Sequence, residues 1–377
     1  MSEEKPVSVM LIGFMPNPRI YKRIDLEKKL LDLHLVCWDK GSNMLLPPKE
    51  DGYSVHIIKI NAGHDPLKRL KPYLKFFIKA KKILENIQPT LIHVQGLDML
   101  KIAISYKKKS AMPVKVIYEV ADLHRLIVGK QKKFTTKIAQ KYLINEDKRC
   151  CRDIDLLIVT SQKHIDFYFK NFISPEKMLC IPNIPNLSAF YRYKKKERDK
   201  KLVVGYIGSV RYKQQMKNLI FAAAACDVDL MIAGFESEPV EIEPLCKDRS
   251  NIKWVGRFDF NSQVAALYGE CDVMYSVYDA DMENVRIAIP NKLYESIYCD
   301  MPIIVAKNTY LAEVVHEWKV GVAVDHRKPD ELIEVLKKMR DDTDYYNAFV
   351  QACQKRKGEI DLAHYNDKLA FIVKKWL

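Results

Sequence analysis

The chain has 377 residues, of which 48% are hydrophobic and 29% charged, a globular composition too long for one ordinary domain. No apolar run approaches the length of a membrane span, and nine cysteines without a C-x-x-C pair argue against a disulfide framework or a zinc site and suit a reducing cytosol. The net charge of +14 lies in one half: residues 1–190 hold 33 Lys and Arg against 19 Asp and Glu, whereas 191–377 hold 29 of each. That half looks toward something anionic, with nucleic acid and an anionic membrane face as the two standard candidates.

The N-terminus, MSEEKPVSVMLIGF, has no cleavage signature and reads as a first strand. Strand-like runs fall at 7–14, 34–38, 55–60, 91–95, 114–120, 156–160 and 178–181, with helical patterns at 20–32, 66–87 and 134–152 between them. The charged run RYKKKERDKK (192–201) then reads as a linker. After it the rhythm restarts, with strands at 202–207, 229–233, 251–255, 272–276, 302–306 and 320–324. Helices fit at 216–226, 261–270, 291–299, 329–340 and 343–355. This is the βαβ alternation of parallel, doubly wound sheets. The expected plan is α/β: an acceptor-side domain over 1–190, a basic linker over 191–201 and a nucleotide-binding domain over 202–355. The plan ends in a helical tail over 356–377, with a return to the first domain as its expected course.

Two stretches carry chemistry. In VVGYIGSVRYKQQMKNL (203–219) a strand ends in Gly205 and Gly208, followed by a loop with Arg211, Lys213 and Lys217 and then a helix. Glycines admit a close backbone approach, a helix start offers N–H groups, and the cations add charge, which together make a diphosphate cradle. It is neither a P-loop nor G-x-G-x-x-G. In PNKLYESIYCDMPIIVA (290–306) Pro290 reads as a first helical residue, and Lys292 and Glu295 share a face at the helix start. A carboxylate beside a phosphate loop suits a ribose diol; alone, the pair would be an ordinary helical ion pair.

Together these stretches resemble glycosyltransferase family 4, the retaining nucleotide-sugar transferases of GT-B fold. IPNKLYESIYCDMPIIVA is similar to the family's PxKLxE segment, and supporting likenesses run through 17–40, KVIYEVADLH (115–124), LCIPNIP (179–185) and NIKWVGRF (251–258). The resemblance implies two Rossmann-like domains facing across a cleft. It implies that Arg211 and Lys217 neutralise the donor diphosphate and act in catalysis, that Gly208 and Ser209 approach the phosphates, and that Arg257 and Phe258 face the base. Glu295 would hold the ribose hydroxyls, with Asn291, Lys292 and Leu293 in the same donor segment. The first glutamate of the family's E-x7-E motif is here Ile287, which leaves Glu283 or Asn284 for the donor sugar. The family's N-terminal histidine aligns with Ala121, while Asp122 is retained and His124 stands nearby as catalytic candidates. Position 300, expected as glycine, is Asp300, which can also end a helix in a left-handed turn. Asp279 and Asp281 spell D-x-D, but GT-B enzymes use basic groups and helix dipoles, so neither a metal nor another cofactor is expected.

Residues 65–87 carry Lys68, Lys71, Lys75, Lys79 and Lys82 on one stripe and Leu67, Leu70, Leu74, Phe77 and Leu84 on another, the latter expected to face the core. Lys107–Lys109 and the lysines of 130–141 add charge. No nucleic-acid motif accompanies them, so the expected partner is an anionic membrane surface at the inner, cytoplasmic face. The expected activity moves a sugar from a nucleotide donor to a lipid-linked or glycan acceptor in polysaccharide or glycolipid assembly. A nucleotide-sugar 2-epimerase and an inactive nucleotide-binding protein are the alternatives.

Overall fold

A computed structural model describes residues 5–41, 51–62, 70–123, 134–196, 201–237, 240–247 and 249–376, with 134–136 as backbone. It divides into two units, Met1–Pro182 with Leu362–Leu377, and Asn183–Asp361. The first unit runs β1 (Val7–Ile12), α1 (Pro18–Leu30), β2 (Asp32–Asp39), β3 (Ser54–Lys59), α2 (Leu70–Ile87), β4 (Leu91–Gln95), α3 (Leu97–Lys107), β5 (Lys115–Val120), α4 (Phe134–Cys151), β6 (Leu156–Val159), α5 (Gln162–Phe167) and β7 (Met178–Cys180). The second continues with β8 (Val203–Ile207), α6 (Lys213–Ala225), β9 (Asp229–Ala233), α7 (Ile242–Cys246), β10 (Ile252–Gly256), α8 (Phe260–Gly269), β11 (Val273–Ser276), α9 (Glu283–Ile287), α10 (Asn291–Tyr298), β12 (Ile303–Ala306), α11 (Tyr310–Trp318), β13 (Gly321–Val324), α12 (Pro329–Asp341) and α13 (Thr343–Lys357). The last helix, α14 (Leu362–Lys374), belongs to the first unit.

Both sheets pair in parallel, in the orders β3-β2-β1-β4-β5-β6-β7 and β10-β9-β8-β11-β12-β13. Helices cover both faces, which is why β1, β6 and β12 are nearly continuous apolar runs rather than alternating ones. Each order reverses once, between β1 and β4 and between β8 and β11. At such a point the neighbouring crossovers leave to opposite faces and open a crevice at the carboxyl ends of the strands. Asn17 fixes the entry to α1: its Oδ1 accepts from the N–H groups of Arg19 and Ile20 at 3.1 and 3.2 Å, and Pro18 takes the first helical position. Leu369 and Val373 of α14 are buried against Leu31, Leu91 and Leu156, which holds the tail on the first sheet.

Several expectations need correcting. The first unit ends at Pro182, and 183–196 pack on the second unit in place of a free linker. There Lys195 Nζ lies 2.9 Å from Asp272, Lys196 Nζ 3.1 Å from Glu270, and the Tyr193 hydroxyl donates to Cys299 O at 2.8 Å. The core face of α2 is Phe76, Ala80 and Leu84, with Phe76 stacked on Trp38 at 4.6 Å. This rotation leaves Leu70 and Leu74 exposed, together with Ile78. Lys107 and Lys108 pair with Asp155 and Asp153 and so are not free charges. Pro290 precedes α10 with extended backbone, and Asn291 opens the helix. Asp300 does take the left-handed turn, at φ +52°. Leu67, Lys68 and Lys130 lie outside the described residues.

Candidate active site

The crevice between β8 and β11 is lined by the two chemistry-bearing stretches. After Ile207 the chain turns at Gly208, with φ +130°, and its N–H donates to Ala233 O at 2.8 Å. Gly234, at φ +153°, meets it from the end of β9; a Cβ there would overlap the Gly208 carbonyl. A Cβ on Gly208 would in turn lie 3.1 Å from Lys292 Nζ. The two glycines therefore bring bare backbone beside a buried ammonium. Lys292 Nζ donates to the Tyr278 hydroxyl at 3.1 Å and lies 4.7 Å from the ring centre of Tyr206. Burial works against its charge, but Tyr278, Tyr206 and Glu295 hold the ammonium above the usual lysine range.

Around this cation the loop is tied down. The Tyr206 hydroxyl donates to Ser209 O at 2.7 Å, and the Ser209 hydroxyl donates to Ser237 Oγ at 2.7 Å. Arg211 Nε lies 3.4 Å from Ser209 Oγ, and its exposed guanidinium acts on Tyr206. Tyr212, with φ +61°, precedes α6 and packs its ring 5.2 Å from that of Tyr278. Lys217 is exposed on the second turn of α6, within electrostatic reach of Glu241, which pairs with Lys213 at 2.6 Å. On the far side Arg257 lies over the Phe235 ring at 5.1 Å, next to half-buried Phe258.

Glu295 is buried one turn along α10 and accepts from the Tyr268 hydroxyl at 2.6 Å. Tyr268 was not legible as a site residue. Burial, and then Glu295, push its hydroxyl far above the tyrosine range, so it serves as a fixed donor. Asn291 accepts a hydrogen bond from Asn183, while Leu293 is wholly in the core and offers only its backbone. Asn284 stands on α9, whose last residue is buried Ile287.

Comparison with known proteins identifies this unit. Residues 188–356 match the family profile Glycosyl transferases group 1. That match falls within the second unit and covers most of it. The chain has the GT-B fold: it resembles sucrose-phosphate synthase from Thermosynechococcus elongatus, with TM-score 0.75, 15% identity and 98% of each chain covered. It also resembles Anabaena Alr3699/HepE, solved in complex with UDP-glucose, with TM-score 0.70, 15% identity, and 98% of this chain and 99% of that one covered. Among curated sequences, the succinoglycan biosynthesis protein ExoL of Rhizobium meliloti (strain 1021) is 21% identical over 262 residues. That match spans 66% of this chain and 64% of the relative, less than two thirds of its length.

Beside this crevice, the D-x-D residues meet a histidine. Ligand atoms of Asp279, Asp281 and His326 lie within 4.8 Å of one another. The group has other engagements: Asp281 pairs with Arg327, and His326 Nδ1 sits 3.2 Å from Gln215 Nε2.

In the first unit Asp122 follows β5 and acts on Arg19 and on buried His164, while His124 lies outside the described residues. Sequence reasoning missed a buried charge network behind them. Arg23 Nε donates to Glu119 at 2.9 Å, and His93 bridges Glu119 at 3.2 Å and Glu27 at 2.5 Å. Burial opposes protonation of His93, but the two carboxylates raise its pKa to about 9, and with an N–H on each ring nitrogen it donates to both. The same cations hold Glu119 well below the carboxylate range against the effect of burial. A signal was present: Arg19, Arg23 and Glu27 recur every fourth residue on one face of α1.

Proposed function

We propose that the protein transfers a sugar, with retention, from a nucleoside-diphosphate donor bound in the second unit to a lipid-linked or glycan acceptor. The observation that carries this is the buried Lys292 ammonium beside the bare backbone of Gly208, with Arg211 on the same loop. Two cations beside backbone that no Cβ shields suit the close approach of a diphosphate. As the glycosidic bond breaks, negative charge grows on the departing diphosphate, and the buried Lys292 ammonium, with exposed Arg211 and Lys217 adding screened charge, favours that state over the ground state. In a retaining path the departing phosphate takes the acceptor proton, so no carboxylate nucleophile is required. Glu295, steadied by Tyr268, accepts from the ribose hydroxyls. The reaction runs without a metal, because Lys292, Arg211 and Lys217 supply the positive charge. The family 4 branch is the one its motifs resemble.

The relative solved with UDP-glucose makes uridine diphosphate the first ligand to test, and the succinoglycan relative supports a setting in polysaccharide or glycolipid assembly. The acceptor side belongs to the first unit, whose charge excess suits an anionic membrane surface at the cytoplasmic face; among the described residues no helix is long and apolar enough to cross a membrane. Calorimetry with nucleoside diphosphates, followed by NMR of the product anomer, tests the reading. Failure of every nucleoside diphosphate to bind refutes the donor site, an inverted product refutes retention, and C2 inversion of donor alone identifies an epimerase.

A further inference from the structure

The outer face of α2 carries a pattern that the fold leaves unused. Leu70, Leu74 and Ile78 are 62%, 50% and 67% exposed and recur every fourth residue, so they form one ridge about 12 Å long. Lys71, Lys75 and Lys79 form a parallel ridge offset by one residue, and Lys82 stands next to it. Among the described residues no carboxylate pairs with these four; on this helix Glu85 is met by Lys81, at 3.9 Å. Helix α4 repeats the arrangement, with exposed Ile138 and Tyr142 one turn apart beside exposed Lys137 and Lys141. Both helices pack on α3, and Tyr142 lies within electrostatic reach of Tyr73 on α2, so the ridges border one surface of the first unit. Crossover helices run antiparallel to their strands, which places the first turns of α2 and α4 at the carboxyl edge of the sheet, its ligand-binding edge.

A single exposed leucine is ordinary. Five exposed apolar side chains in helical register, each next to a lysine with no acidic partner among the described residues, make an interfacial surface: apolar groups reach the acyl boundary while ammonium groups meet phosphate headgroups. We propose that α2 and α4 seat the first unit on an anionic lipid leaflet by inserting this ridge. The proposal rests on the anionic-surface reading above and adds a hydrophobic anchor to it. It sets the ligand-binding edge of the first sheet at the lipid surface, where a lipid-linked acceptor is met.

The native cysteines are buried, with Cys180 half-buried, so an environment-sensitive fluorophore can be placed on Ile78→Cys selectively. With vesicles of phosphatidylglycerol and phosphatidylcholine, its emission should shift to the blue and be quenched by brominated acyl chains. Replacing Lys71, Lys75, Lys79 and Lys82 with glutamine should lower partitioning at low salt by on the order of a thousandfold. Leu74→Gln with Ile78→Gln should lower it by roughly tenfold and should remove the binding that survives high salt. A bound protein whose probe stays in water overturns the insertion and leaves lysine docking alone. Self-association abolished by Leu74→Gln assigns the ridge to a second copy and overturns the proposal. Absence of vesicle binding overturns both this inference and the anionic-surface reading, while nucleotide calorimetry on the same samples still reports on the donor site.

Discussion

Replacing Lys292 by methionine keeps the aliphatic stem and removes the charge, which separates folding from donor binding. In the free protein the change removes a 3.1 Å hydrogen bond to Tyr278 and a ring contact at 4.7 Å. A desolvated cation–π contact contributes about 2 kcal/mol. Because the buried ammonium also carries a desolvation cost, losing both should leave stability within about 1–2 kcal/mol of wild type. Donor binding has no such offset. A charge-assisted hydrogen bond to the diphosphate is worth about 1.5–3 kcal/mol, so Kd should rise roughly ten- to a hundredfold. Arg211 is exposed and water-screened, so it cannot replace the lost charge. kcat should also fall, since the charge on the leaving group grows toward the transition state. Denaturant unfolding with calorimetry on the same variant is the assay. A folded Lys292→Met protein with nucleoside-diphosphate affinity within twofold of wild type would refute the placement of the phosphates at Gly208.

Three further outcomes are expected. Arg211→Ala and Lys217→Ala should each weaken nucleoside-diphosphate binding, and Glu295→Ala should act mainly on ribose-bearing ligands; unchanged titrations for all three would remove these residues from the site. Turnover should survive excess EDTA, and Asp279→Asn should be milder than Arg211→Ala, whereas activity lost to chelation and restored by Mn²⁺ or Mg²⁺ would give the Asp279, Asp281 and His326 group a metal. Stability should peak near neutral pH. The His93 pKa is raised from 6.5 to about 9, so its contribution, on the order of 3 kcal/mol, is complete below 6.5 and lost as pH rises through 9. The His164 pKa is lowered to about 4 by burial, so stability also falls as pH drops from 6.5 toward 4. Thermal melts over this range should show both limbs, and an alkaline limb unchanged by His93→Gln would refute the network's role.

The βαβ alternation was legible because each strand is an apolar run bounded by turn residues, and both sheets follow from it. The crevice between β8 and β11 was legible as a candidate site through Gly208, Arg211, Lys292 and Glu295, which the fold brings to it and whose residue types need little context to suggest phosphate and sugar chemistry. What lies behind them was not. Tyr268 comes 27 positions before Glu295, and no local pattern links a helix tyrosine to a carboxylate on another helix. The face of α2 was misread for a related reason: Leu70, Leu74 and Leu84 give a plausible apolar stripe, but packing follows the Phe76 ring on Trp38 and the small Ala80. The linker was misread because a run of like charges suggests solvent until its partners, Asp272 and Glu270, are brought beside it by the fold.

The fate of those charges changes the meaning of the net +14. In the run 192–201, Lys195, Lys196 and Lys201 all have acidic partners, as do Lys107, Lys108 and Lys115 of the first unit. Among the described residues the row on α2 has none: Lys71, Lys75 and Lys79 follow one another at about 6 Å along the helix axis. That spacing is within the Debye length at physiological salt, so neighbours repel by roughly 0.5 kcal/mol even in water. A glutamate at any of these positions would remove the repulsion and add an i,i+4 pair, as Glu85 does for Lys81. Folding alone therefore gives no reason for the row. An anionic surface does, because it turns each repulsive position into an attractive one, and it does so beside the apolar ridge that water also disfavours.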